Sequence, residues 1–415
     1  MNIAMRAARH LGGAAKQNTR QPAALAAINS ALLALGLLLL PCAGQALAEN
    51  PQQVHVEFVN VADSTQGLSD LSQFPAINNQ GSVAFVATRG SDQKVFKWKR
   101  GSMNEIASTA TAPFAFFTDD VVINDAGIVG FRAILNTGRA AGIFTSDGVA
   151  TKTIVNSDVQ GFPGFGLGTP SINASGTVAF QAFRSGFKSN VIFTGNGAGL
   201  TTVLDTLTSD FQTFGAVAIN AYGEIVFEGV RKDRSAGVFL ARPISQEDEA
   251  SGNTSPSIAD LIDTNISDFF QFGDPVINNA GFVADFAGGG TSVEVFSGNA
   301  KGITARSDPA SKLFIDVEHP SINNRGAVAF STLSADGSQS IFVELTGGDS
   351  LVPVLQTGDL LFGSPVTAVS VGRFAFNDHL LLAFEYELQD GRSGIGIASL
   401  HPDGAVPVNE GDGEN

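Results

Sequence analysis

Seven residues stand four positions before the asparagine of a recurring Asn-x-x-Gly phrase: Phe74, Asp120, Thr169, Ala216, Asp274, His319 and Arg373. The chain otherwise repeats closely, yet this position is varied and polar, with Asp119 and Glu318 beside it. Carboxylates, an imidazole and a guanidinium gathered at one place can bind a charged ligand or exchange protons with it. The alternative is a hydrated lining of charges that pair among themselves. A second pattern is basic. Arg89, Arg184 and Arg231 each follow their asparagine by 11 residues, and Arg139, Lys188, Lys232, Arg234 and Arg392 lie close by in sequence. Guanidinium groups hold carboxylates bidentately, so such loops suit an anionic, uronate-containing glycan. Asp92, Asp233, Asp336 and Asp390 nearby fit plain solvated loops equally well.

Other positions carry weaker signals. Asp285 stands where the repeat has phenylalanine; it is either a buried functional carboxylate or the mark of a register shift that puts Phe286 inside. Tyr386 follows a second strand and can be read as an acid–base partner of His319 or as a packed tyrosine. His379 and Tyr222 fall in turns. Ser69 to Phe74 and Ser267 to Phe272 share a Ser-Asp-x-x-Gln-Phe phrase, with a variant at Ser209 to Phe214, read as connectors packing phenylalanine between repeats. There is no Gly-x-Ser-x-Gly, HExxH, Walker loop or Asp-x-Asp-x-Asp calcium loop. Beyond the leader described below, histidines occur only at 55, 319, 379 and 401, so neither a multi-histidine metal site nor another cofactor is expected.

The elements that must position these residues come from the repeat itself. Pro75-Ala-Ile-Asn78-Asn-Gln-Gly81-Ser-Val-Ala-Phe85 returns around Asn124, Asn173, Asn220, Asn278, Asn323 and, in degenerate form, Asn377, where Leu380 replaces the glycine. Each copy reads as a hairpin. An apolar strand enters, the asparagine side chain accepts backbone N–H groups of the turn, glycine supplies positive φ, and a Val-Ala-Phe strand leaves with alternating faces. Third and fourth strands follow, as at Asn190–Phe193 and Thr202–Leu204. Four strands in about 47 residues match one propeller blade. Val54–Val59 reads as a fourth strand lacking the first three, and Ile395–Leu400 as a third strand lacking a fourth. The expected fold is all-β, a seven-bladed propeller closed by the N-terminal strand completing the last blade. An open solenoid would not need complementary ends.

The propeller is expected over residues 49–400. Residues 1–48 read as a cleaved secretion signal: Arg6, Arg9, Lys16 and Arg20, then apolar Ala23 to Leu40, then Ala46-Leu47-Ala48. Cys42, the chain's one cysteine, lies in this leader, so thiolate chemistry is not expected, and Pro41 ill suits its lipidation, so neither is a membrane anchor. Residues 401–415 form an acidic, glycine-rich tail expected to be flexible. The chain carries 24 Lys+Arg against 40 Asp+Glu; without the leader's four basic residues the formal charge is −20. Such a surface repels nucleic acid and anionic lipid. A secreted or periplasmic monomer is expected.

The Asn-x-x-Gly-x-Val-Ala-Phe phrase resembles the bacterial exported tandem-repeat proteins of the NxxGxxAF type over almost the whole mature chain. The resemblance implies an exported, propeller-like repeat and little about activity, because these proteins are grouped by repeat rather than reaction. Many carry a terminal anchoring segment, whereas this chain ends in Asn409-Glu-Gly-Asp-Gly-Glu-Asn415.

Two functions remain open. The first is a non-catalytic propeller binding an anionic glycan or an extracellular partner protein, with Asp120, Asp274, Arg373, Arg89, Arg184 and Arg231 as ligand-binding residues. The second is a polysaccharide lyase, in which Arg373 neutralises a uronate while His319 or Tyr386 removes the C5 proton. The regular repeat and missing catalytic motifs put binding first.

Overall fold

A computed structural model describes residues 54–402, apart from 138–139, 164–167, 245–249, 251–254, 266, 268, 290–291, 306–313 and 346–350. The expected leader and most of the expected tail lie outside the described residues. The chain forms seven antiparallel sheets in sequence order, each one blade. Blade four is typical: inner strand Phe211–Ile219, second strand Ile225–Arg231, third Ala236–Arg242, outer Ser257–Asp263. Blade seven takes Ser364–Ser370, Leu381–Leu388 and Ser393–His401 from the C-terminal side and His55–Asp63 from the N-terminal side. Those last two strands pair antiparallel from His55 opposite His401 to Asp63 opposite Gly394. Closure removes the open edge that a sheet otherwise presents, and it excludes the solenoid.

Each second-strand phenylalanine lies opposite a third-strand phenylalanine in five blades: Phe85 and Phe96, Phe131 and Phe144, Phe180 and Phe193, Phe227 and Phe239, Phe330 and Phe342. Their ring centroids are 5.6–6.1 Å apart. This face packs on the preceding blade: Phe227 joins a core cluster with Ala179 and Ile192 of blade three, and Phe384 one with Ala329 and Ile341 of blade six. Burying one such ring contributes about 2–3 kcal/mol, with roughly 1 kcal/mol more from the aromatic pair. In blade five the partner of Phe296 is Asp285, without a register shift.

The asparagines do more than shape turns. Asn78 accepts the backbone N–H groups of Gln80 and Ser82, and its Nδ2 donates to the Asn124 carbonyl at 2.9 Å. Asn124 donates to Asn173, Asn173 to Asn220, Asn220 to Asn278, Asn278 to Asn323, Asn323 to Asn377, and Asn377 back to Asn78. Seven buried amides thus form a closed belt around the axis. Gly81 and Gly176 adopt φ of +71° and +82° in these turns, and Leu380 takes +58° in the glycine's place.

Candidate functional site

The inner strands converge on a central channel, and the sequence departs from its repeat along that axis. In blade seven the strand ends at Ser370, and Val371–Asn377 turns inward. The Phe374 carbonyl accepts from Ile77 of blade one, while its ring packs against core clusters spanning blades one and two, four and five, and five and six. Arg373 crosses the channel and donates through Nη2 to the Val217 and Pro275 carbonyls at 3.0 and 2.6 Å. The two residues plug the channel. Gly372 allows this approach, since a Cβ there would meet the Pro75 carbonyl at 3.0 Å.

On the side where the inner strands begin, the plug leaves a narrow throat. Phe74 of blade one touches His319 of blade six, with ring centroids 4.4 Å apart. His319 Nδ1 lies 3.7 Å from the Asp274 carboxylate, and Thr169 donates to Asp120 at 3.1 Å. Phe74, Asp120, Thr169, Ala216, Asp274 and His319 are half-buried here, with Asp119 exposed beside them. The described side chains do not include that of Glu318.

A second set of polar residues joins this throat from the position after each blade-core phenylalanine. That position holds Val86, Arg132, Gln181, Glu228, Phe286, Ser331 and Glu385. Where it faces a glycine five residues before the belt asparagine, it moves close: a Cβ on Gly215 would meet the Glu228 carboxylate at 2.1 Å, and one on Gly168 the Gln181 amide at 3.1 Å. Burial and the charge of Asp274 raise the Glu228 carboxyl to about 7. Burial and the nearby Glu387 raise Glu385 to about 8, against a hydrogen bond from Ser370. Asp285 is wholly buried; one oxygen accepts the Phe286 N–H and the other has no partner. Burial pushes its carboxyl well above the usual range, reinforced by Asp274 and Glu228 and opposed by the Phe286 N–H and by Arg373. Burial lowers the Arg132 guanidinium from its ordinary value. No expectation from the sequence covers this set, although polar variety at a repeat position marks it as it marks the first.

Several expected roles change. Arg373 is 6% exposed and lies in the plug, because the degenerate inner strand leaves its sheet. Tyr386 is fully buried in blade seven; its hydroxyl donates to Asn60 of the outer strand, away from the axis, and burial raises its hydroxyl far above its usual value. It cannot serve His319. Arg89, Arg184 and Arg231 lie 4.8–5.5 Å over the Phe96, Phe193 and Phe239 rings. Arg184 and Arg231 also pair with Asp205 and Asp260. These arginines cap the blade cores. Arg139 lies outside the described residues. His379 and Tyr222 are exposed in turns, and Phe214 and Phe272 pack as expected for connectors. Among the described residues no cluster of three His, Cys, Asp or Glu could hold a metal ion.

Fold and site together define a closed seven-bladed β-propeller with a plugged axis and an acidic throat. Residues 52–407 match a family described as "Family of unknown function (DUF7453)", and the chain belongs to it. No curated protein matches. The propeller domain of the Trilobed protease from Pyrococcus furiosus, described as having an open velcro topology, superimposes with a TM-score of 0.53 at 9% identity, over 79% of this chain and 93% of that one. Prolyl oligopeptidase B from Galerina marginata gives 0.54 at 10%, over 83% and 50%. A prolyl endopeptidase gives 0.51 at 12%, over 83% and 51%. This chain spans about half the length of those two peptidases, and likeness at this identity extends to the fold alone.

Proposed function

We propose that this protein is an exported, non-catalytic binding propeller whose throat takes a cationic side chain of a partner protein. The sign of the charge carries this reading. Arg373 is committed to the plug, and Arg184 and Arg231 to aromatic rings and carboxylates. Asp119, Asp120, Asp274 and Glu228 remain around the throat and outnumber its cationic groups, the Arg132 guanidinium beside Asp120 and one imidazole. An ammonium or guanidinium entering there meets carboxylates and the Phe74 ring, both favourable to a cation. The anionic glycan expected from the loop arginines finds fewer uncommitted cations, and the lyase lacks both its carboxylate-neutralising Arg373 and its Tyr386.

The test titrates the purified protein with a lysine hexapeptide, a chitosan oligosaccharide and an oligogalacturonate. The peptide should bind in a salt-sensitive manner and lose at least tenfold in affinity with Asp120→Asn or Asp274→Asn. Its binding should strengthen as pH rises through about 7, because Glu228 then ionises. Preference for the oligogalacturonate, or indifference to both substitutions, would overturn the reading; preference for chitosan would keep the cationic site but replace the partner protein with a glycan.

A further inference from the structure

Towards the turn-bearing face, the gaps between the first blades are filled in different ways. In blade one Lys97, the residue after the third-strand phenylalanine, reaches across to blade two and donates to the Gly127 and Asp147 carbonyls at 2.9 and 3.1 Å. In blade two Lys152 of the outer strand, opposite Thr145, lies against Gly197 of blade three. Blade three has threonine at both places: Thr194 follows Phe193 and stands opposite Thr201 of the outer strand Leu200–Asp205. No lysine crosses from there to blade four, and a groove of about 490 Å³ separates the two blades.

Strand register fixes which side chains face the groove. Ala179 and Ile192 of blade three share a core cluster with Ile225, Phe227 and Ala241 of blade four. Thr194 lies two residues beyond Ile192 and opposite Ala179, so it points to the same side, and Thr201 opposite it does too. The hydroxyls of Thr194, Thr201 and Tyr222 are open to solvent and have no hydrogen-bond partner among the described residues. Ile225 and Ala241 supply the facing apolar wall, with Pro243 beside the Gly223 turn. Tyr222 stands at the mouth, 73% exposed. Arg242 also lines the groove, its Nε donating to Glu224 at 3.0 Å.

We propose that this groove is a second binding site and takes a neutral mono- or disaccharide. Its two walls differ as the faces and rim of a sugar ring differ. Threonine hydroxyls both donate and accept, as sugar hydroxyls do, while Ile225, Ala241 and Pro243 offer apolar surface to the C–H faces. The Tyr222 ring adds a flat platform with a polar tip. Glu224 neutralises Arg242 yet leaves its Nη groups to donate, so neither an anionic nor a cationic ligand finds an uncompensated charge. The volume lies within the range of about 300–1,000 Å³ usual for small-molecule sites. The groove lies between two blades on the face away from the acidic throat, so the proposal does not depend on what binds there.

Calorimetric titration of the intact propeller tests it, with cellobiose, maltose and di-N-acetylchitobiose set against digalacturonate and a tetraproline peptide. At least one neutral disaccharide should bind more tightly than the digalacturonate and the peptide. Thr194→Lys places in this gap the lysine that blade one carries at the same register, and it should weaken that disaccharide at least tenfold. Tyr222→Ala changes an exposed turn residue and should also weaken it at least tenfold with little change in melting temperature, so the test survives if Thr194→Lys fails to fold. No binding of any neutral disaccharide at tens of millimolar, indifference to either substitution, or tighter binding of the digalacturonate or the peptide would each overturn the proposal.

Discussion

Replacing Asn278 by alanine probes the belt most directly. Its Oδ1 accepts the Ala280 and Phe282 N–H groups at 3.0 and 2.9 Å, and its Nδ2 donates to the Asn323 carbonyl at 2.9 Å. The residue is 4% exposed, so alanine strands two donors and one acceptor where water reaches them poorly. At roughly 1 kcal/mol per bond, with a further penalty for buried unsatisfied groups, the loss should be about 3–5 kcal/mol. Asn278→Asp separates the two roles. The carboxylate keeps both turn acceptors but has no donor, and it sets a negative charge against the Asn323 carbonyl. It should lose about 2–3 kcal/mol at pH 7 and recover part of that near pH 4, where a protonated carboxyl can donate. Urea unfolding followed by Trp98 fluorescence and circular dichroism at both pH values gives the comparison. If the aspartate variant matches the wild type at pH 7, the belt bond contributes nothing and the asparagine is only a turn residue.

Removing residues 55–63 strips blade seven of its outer strand; the product should aggregate or unfold without cooperativity, and a monomer with unchanged melting would refute closure as a stabilising device. Glu385 has a folded value of about 8 against an ordinary 4.5, so its stabilising effect is complete below pH 4.5 and is lost as pH rises through 8. At about 1.4 kcal/mol per pH unit the loss is roughly 3–5 kcal/mol, and Glu385→Gln should remove it; parallel stability curves for variant and wild type between pH 5 and 9 would contradict the assignment. Arg231→Ala should cost about 1–2 kcal/mol from its ring contacts and its pair with Asp260, and should leave peptide binding at the throat unchanged. Loss of that binding would return the loop arginines to the site.

The blades were legible because their signals are local and repeated: Asn-x-x-Gly, positive φ at the glycine, and a phenylalanine at fixed distance. What escaped was contact between blades. From local pattern alone asparagine is a turn residue, yet aspartate caps the same turn and appears at none of the seven positions. Only a side chain that must donate as well as accept explains that choice, and the belt supplies the acceptor. The loop arginines follow their blade phenylalanines by four residues, and an even spacing on a strand returns to the same face. Their place over the third-strand rings was therefore implicit, although a basic residue in a loop suggested a ligand first. Asp285 could not be resolved from sequence, because swapping it with Phe286 preserves alternation; the ladder opposite Phe296 decides it. The course of Arg373 was hidden for a different reason. Once the inner strand of blade seven leaves its sheet, the repeat no longer says where the chain goes.

The departures from the repeat are costly where they occur, and they occur together. Asp285 exchanges a blade-core phenylalanine for a buried carboxyl with one oxygen unpartnered. Arg373 buries a guanidinium with two donor nitrogens unmet. Leu380 takes φ of +58° where the other turns have glycine. Each of these carries a penalty on the order of 1–3 kcal/mol. Five other blades meet the same packing problem with a phenylalanine pair, so the scaffold did not require the first exchange. Asp285 is coupled electrostatically to Asp274, Glu228 and Arg373, which belong to blades five, four and seven and meet only at the axis. Independent packing accidents would scatter over the outer strands, where substitution is easiest. Departures that converge on one plugged channel beside an acidic throat point to a ligand taken at the axis, and the Asp120 and Asp274 variants test it.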